Sequence, residues 1–96
     1  MIKVTVKFYS IFCVAAGFCR EDEIEMESGG DLKILVDLMV LKYGENFRWK
    51  LLDGSGNLPI TAWILVNGER VDASCFGRRL KEGDEVIFTT PLLVGG

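Results

Sequence analysis

The stretch EIEMESGGDLKILVDLMVLKYG, Glu23–Gly44, changes its period halfway along. Up to Ser28, Ile24 and Met26 alternate with Glu23, Glu25 and Glu27, the two-residue repeat of a half-exposed strand. From Asp31 onward the apolar residues are Leu32, Leu35, Val36, Met39 and Tyr43, the three- and four-residue steps of one helix face. Gly29 and Gly30 break the strand between the two patterns. Asp31 carries a carboxylate suited to accept from the first free N–H groups of a helix, and Gly44 supplies a residue tolerant of positive φ just past its end. A strand, a sharp break and an amphipathic helix over 31–43 are expected.

Upstream, Ile2, Val4, Val6 and Phe8 alternate with Lys3, Thr5, Lys7 and Tyr9, a period that the apolar region of a secretory leader has no reason to show. Phe18 stands before Cys19, where a lipidation site requires a small residue, and no apolar run approaches the roughly 20 residues that span a bilayer. This end therefore reads as a first strand of a cytoplasmic protein with no membrane partner. A loop around Gly17 would join it to the Glu23–Ser28 strand as a hairpin.

Downstream, Phe47–Leu52 is short and mixed, DGSGN at 53–57 supplies a turn, and ITAWILV at 60–66 returns to strand composition. Asn67-Gly68 closes a tight hairpin, because both residues tolerate positive φ, so Glu69–Asp72 folds back as a short strand. After a loop through Cys75 and Gly77, a turn at Gly83-Asp84 leads into a last strand over 85–90. The order is ββαβββ, with a last strand able to pair with the first. One helix then covers one face of a mixed sheet, an α+β fold of the ubiquitin-like β-grasp kind.

Composition narrows the functional classes. The chain has 96 residues, 49% of them hydrophobic, and a net charge of −3, which is one small domain. Its longest basic cluster is Arg78-Arg79, too little to track a phosphate backbone, so no nucleic-acid partner is expected. Cys13, Cys19 and Cys75 form no CxxC pair, and with no histidine to complete a ligand set or act as a base, neither a metal site nor Cys-His catalysis is indicated. They read as reduced thiols. Trp49 and Trp63 read as packing residues. The acidic run Glu21, Asp22, Glu23, Glu25 and Glu27 reads as a solvated strand and loop, with a basic partner surface as its alternative.

What remains is PLLVGG, Pro91–Gly96. A linker is ordinarily polar, whereas Leu92, Leu93 and Val94 make this one apolar. Pro91 fixes φ and restricts Thr90, suiting it to end the strand and start an extended segment. Gly95 and Gly96, without side chains, let the backbone approach a partner's groups closely. Residues 1–90 thus read as the domain and 91–96 as a flexible tail that orders on binding, since such a tail has few contacts of its own to offset its ordering entropy.

KYGENFR at 42–48, ILVNGERV at 64–71, LKEGDEV at 80–86 and the proline-aliphatic-Gly-Gly tail occur in the order and spacing of the MoaD/ThiS family of sulfur carriers. The chain resembles that family over essentially its whole length, most of all its longer members, the small subunits of molybdopterin synthase. The resemblance implies that the Gly96 carboxyl group is activated by an E1-like adenylating enzyme that consumes ATP, then converted to a thiocarboxylate. Sulfur would pass to substrate held by the synthase large subunit, with Pro91, Leu92, Leu93, Val94 and Gly95 lying in the partner's channel. The chain would be a non-catalytic carrier subunit that binds no cofactor and no metal itself. A carrier for thiamine or cysteine biosynthesis and a ubiquitin-like protein modifier are the alternatives. One departure from the family is the apolar first loop, IFCVAAG at 11–17, where relatives carry charge; Phe12 and Val14 there read as extra core or as a contact patch.

Overall fold

The computed structural model describes residues 1–59, 61–72 and 76–91. Alternation along the first segment forms β1 (Ile2–Phe8), with Val4, Val6 and Phe8 buried and Lys3, Thr5 and Lys7 on the other face. Five strands make one sheet among the described residues: β1, β2 (Glu21–Met26), β3 (Trp63–Val66), β4 (Glu69–Val71) and β5 (Glu85–Thr89), in the spatial order β2-β1-β5-β3-β4. β1 and β5 run parallel, Val6 opposite Val86 and Phe8 opposite Phe88, and the other pairs are antiparallel. The first and last strands are neighbours, as the element order requires of a β-grasp.

The main helix, α2 (Leu32–Tyr43), lies across the buried face and contributes Leu32, Leu35, Val36 and Met39 to the core, where each is fully buried. Asp31 caps it, its carboxylate accepting from the Ile34 N–H at 3.0 Å. Two further N–H groups at this end are satisfied from the 76–80 loop: Leu32 donates to the Arg78 carbonyl and Lys33 to the Phe76 carbonyl, both at 2.9 Å. Fully burying each of these aliphatic side chains contributes on the order of 1.5–3 kcal/mol. Packing, more than propensity, therefore holds a 12-residue helix in place.

Two short helices replace what the sequence reads as irregular. α1 (Ile11–Ala15) occupies the first loop, and α3 (Glu45–Leu51) occupies most of the mixed segment after α2. α3 follows at once because Gly44 has φ 91° and ψ −173°, a backbone conformation reserved for glycine that turns the chain without a linker. Gly44 thus has the expected positive φ but not the left-handed helical ψ. The second strand begins two residues earlier than expected and ends at Met26, before Ser28. β3 is confined to Trp63–Val66, with Ala62 outside it and Ile60 outside the described residues. Asn67 and Gly68, at φ 51° and 84°, close the β3–β4 turn as read. The tail residues Leu92, Leu93, Val94, Gly95 and Gly96, and Cys75, also lie outside the described residues.

Candidate functional site

The tail leaves from the middle of the sheet. β5 is hydrogen-bonded on both sides, to β1 and to β3, so Thr90 and Pro91 emerge from the central strand, not from an edge. Phe88, two residues before Thr90, is fully buried among Phe8, Phe12 and Phe47. Its ring stacks on Phe8 at 5.9 Å and meets Phe47 edge-on at 5.5 Å, and Phe47 in turn takes Phe12 and Tyr43 at 5.8 Å. Aromatic pairs at such separations each add about 0.5–1.5 kcal/mol beyond the area they bury. The two helices that the sequence left unread supply two of its four phenylalanines, Phe12 from α1 and Phe47 from α3.

Around the exit the β1–α1 junction forms a collar. The Tyr9 N–H donates to the Phe88 carbonyl at 3.0 Å, and the Thr90 hydroxyl donates to the Ser10 hydroxyl at 3.1 Å. Ser10 holds φ 57° and ψ −132°, which costs a residue with a Cβ about 1–3 kcal/mol and is kept only where the surroundings over-determine it. Beside it Phe8, Tyr9, Ser10, Cys13, Val14 and Arg20 line an open cleft of about 340 Å³. Of these, Tyr9 and Val14 are exposed. The apolar first loop therefore divides: Phe12 is core, and Val14 is surface at the foot of the tail.

The sheet face away from α2 continues this surface. Trp63, opposite Thr89, is half-buried under the Arg70 guanidinium, 4.2 Å from its ring centroid. Leu65 and Ile87 pair beside it, and Lys7 bridges to Glu85 at 3.0 Å, a contact that raises the Lys7 pKa. Trp49 departs from the packing role expected of it, standing 63% exposed on the outer side of α3 with the Arg48 guanidinium over its ring.

A polar knot ties the end of α2 to the start of β2. The Tyr43 hydroxyl donates to Asp22 Oδ2 at 2.6 Å, and the Lys42 ammonium donates to the same oxygen. Burial alone would raise the Asp22 carboxyl, but hydrogen bonds from Lys42 and Tyr43, with the Lys42 charge, hold it below its ordinary value. Burial, then the hydrogen bond to that carboxylate, push the Tyr43 phenol far above its ordinary range. Cys19 donates to the Glu21 carbonyl at 3.1 Å and is, like Cys13, a half-buried free thiol. No group of three His, Cys, Asp or Glu side chains is disposed to hold a metal ion, and no helix is long and apolar enough to cross a membrane, among the described residues.

Of the tail residues singled out in the sequence, Pro91 follows β5 by way of Thr90, and Leu92–Gly96 lie outside the described residues. The aromatic base, the Ser10 collar and the Asp22–Tyr43 knot were not anticipated. Phe47 and Leu51 at i,i+4, with Glu45 in the first turn and Arg48 and Lys50 in the last, is the signal that would have found α3.

No protein-family model and no curated protein sequence matches the chain. Solved structures do. SAMP1 from Haloferax volcanii superposes with a TM-score of 0.80 at 19% identity, covering 97% of this chain and 99% of its own. A Pyrococcus furiosus protein provisionally designated molybdopterin converting factor, subunit 1, gives 0.78 at 28% identity, over 96% of this chain and 100% of its own. CysO from Mycobacterium tuberculosis gives 0.72 at 24% identity, over 93% and 99%.

Proposed function

The chain is a MoaD/ThiS-like protein of the ubiquitin fold, and on that premise we propose that it carries sulfur on the carboxyl group of Gly96, as the small subunit of a molybdopterin synthase. The observation that supports this best is that the central strand β5, anchored by the aromatic cluster around Phe88, leads directly into Thr90 and Pro91, after which the sequence reads LLVGG. The 28%-identical Pyrococcus furiosus factor favours the molybdopterin assignment over the thiamine and cysteine ones.

A carboxylate is a poor electrophile. An E1-like enzyme converts it with ATP into an acyl-adenylate, releasing pyrophosphate; a sulfur nucleophile then attacks the acyl carbon, the C–O bond to AMP breaks, and the thiocarboxylate remains on Gly96. Pro91 sets the direction of the tail, Leu92, Leu93 and Val94 bury apolar area in the partner's channel, and Gly95 and Gly96 let the backbone pass between catalytic groups. Enclosure in the large subunit keeps water from hydrolysing the sulfur-bearing intermediate. Exposed Tyr9 and Val14, in the cleft beside Ser10, would offer such a partner apolar contact.

Incubation with ATP, an activating enzyme and a sulfide donor, followed by intact-mass measurement, tests the reading: one oxygen is exchanged for sulfur, and alkylation maps to the C-terminal peptide. An equal gain of sulfur on a variant lacking Gly96 would place the sulfur elsewhere in the chain and overturn the carrier role. A ladder of conjugates in place of the thiocarboxylate would assign the chain as a protein modifier, because an amine can attack the same adenylate.

A further inference from the structure

The acidic run of β2 plays no part in the tail chemistry, and β2 is an edge of the sheet. Its outward backbone groups follow from the register. The Phe8 N–H donates to the Arg20 carbonyl at 3.0 Å, so the pairs Val6–Asp22, Val4–Ile24 and Ile2–Met26 are the hydrogen-bonded ones. Glu23 and Glu25, at the alternate positions, therefore turn their backbone groups away from β1. Next to them, between β2 and α2, lie two hollows. One, of about 350 Å³, is lined by Glu23, Ile24, Glu25, Leu38, Leu41 and Lys42 among others. The second, of about 270 Å³, is lined by Met1, Glu25, Met26, Gly30, Ile34 and Leu38 among others. Glu25 and Leu38 line both, so the hollows form one groove along the strand. Leu41 is 82% exposed at its edge, and Ile34 and Met1 are exposed farther along.

We propose that this edge and groove bind an extended peptide of a partner protein in which apolar residues alternate with lysine or arginine, added to the sheet as a further strand beside β2. The alternation follows from the two faces. A strand in that place points every second side chain toward α2, where Ile34, Leu38 and Leu41 offer apolar contact, and the others toward the face carrying Glu21, Glu23 and Glu25. Among the described residues, Lys42 pairs with Asp22, Lys33 with Asp37 at 2.9 Å and Lys7 with Glu85, which leaves Lys3 and the Met1 ammonium against the four carboxylates of Glu21, Glu23, Glu25 and Glu27. Opposite charges across strands are attractive and like charges are not. Two copies paired β2 to β2 would set glutamate against glutamate, so the charge pattern selects a basic strand from another protein. The groove centres on Glu25, opposite Lys3 at the start of β1, whereas the tail emerges beside Tyr9 at its end. Both can be occupied together, and the proposal does not rest on the carrier reading.

The test is a titration of isotope-labelled full chain, followed by backbone amide NMR, with a blocked hexapeptide alternating valine and lysine. The expected result is saturable binding that shifts the Glu23 and Glu25 amides, weakens as salt is raised, and loses about tenfold or more in affinity in Leu41→Asp and in Glu25→Pro, which removes an outward N–H. Should Glu25→Pro disturb the fold, Leu41→Asp, at an exposed position, carries the comparison. A peptide with glutamate for lysine should not bind. Equal binding of that peptide, shifts centred on Trp63 or Pro91, or no saturation would overturn the proposal. So would dilution of the protein alone moving the same amides, which would make a second copy the occupant.

Discussion

The strand that launches the tail and the strand at the acidic edge are both short pieces of one sheet, yet they are held differently. β5 has a neighbour on each side and Phe88 enclosed by three other aromatic rings. β2 has one neighbour among the described residues, and its fastening to α2 includes a polar knot, Asp22 with Lys42 and Tyr43. The contrast teaches how a small domain separates anchoring from recruitment. Apolar enclosure gives an immobile origin, and an unpaired edge gives a place that accepts another chain.

The sharpest break between the regions is functional. Removing Gly96 should abolish sulfur loading altogether while moving stability by no more than about 0.5 kcal/mol, since the change lies beyond the aromatic base; mass spectrometry and thermal melting check the two halves. Next in size is Phe47→Ala, which empties the centre of the cluster and should cost about 3–5 kcal/mol in urea unfolding, a large share of the roughly 5–15 kcal/mol of a typical domain. At the other edge, Asp22→Asn should cost only about 1 kcal/mol, because the knot is partly exposed. Its pH signature is distinctive. The folded-state pKa of Asp22 is depressed, so its contribution is full above the ordinary carboxylate range and is lost as pH falls through the lower folded value. Acid titration of stability should show a shallower fall in the Asn variant. Smallest is Trp49→Ala, expected within about 0.5 kcal/mol of wild type by the same unfolding measurement, because its ring lies outside the core.

The same contrast explains what the sequence made legible. Period-two alternation in β1 and the helical stripe of α2 are long enough to repeat, and the turn residues Asn67-Gly68 and Gly83-Asp84 state their conformations directly. The pairing of first and last strands followed from the order of elements. α1, with five residues, is too short for any period to show, and its helicity comes from Phe12 packing on Phe47 and Phe88. α3 had a readable i,i+4 pair, but its register against the core depends on the turn at Gly44. The tail segment stood out because its composition differs from an ordinary polar linker, whereas the aromatic cluster beneath Thr90 could not be seen. Phe8, Phe12, Phe47 and Phe88 come from four separate segments, and only the closed fold brings them together. The Asp22–Tyr43 knot was hidden likewise, twenty-one residues apart in the chain.

The central place of β5 also governs the order of events during synthesis. A chain made from its N-terminus has β1, α2 and β3 available long before β5, but the strand that joins β1 to β3 comes last. Until it arrives, the β1–β2 and β3–β4 pairs are two half-sheets with unpaired inner edges, and closure demands contacts across nearly the whole chain, a topology that slows folding. A nascent polypeptide therefore cannot assemble this surface before residues 85–89 have left the ribosome, within a few positions of the glycine pair itself. A chain cut short before β5 would leave the sheet in two unjoined halves.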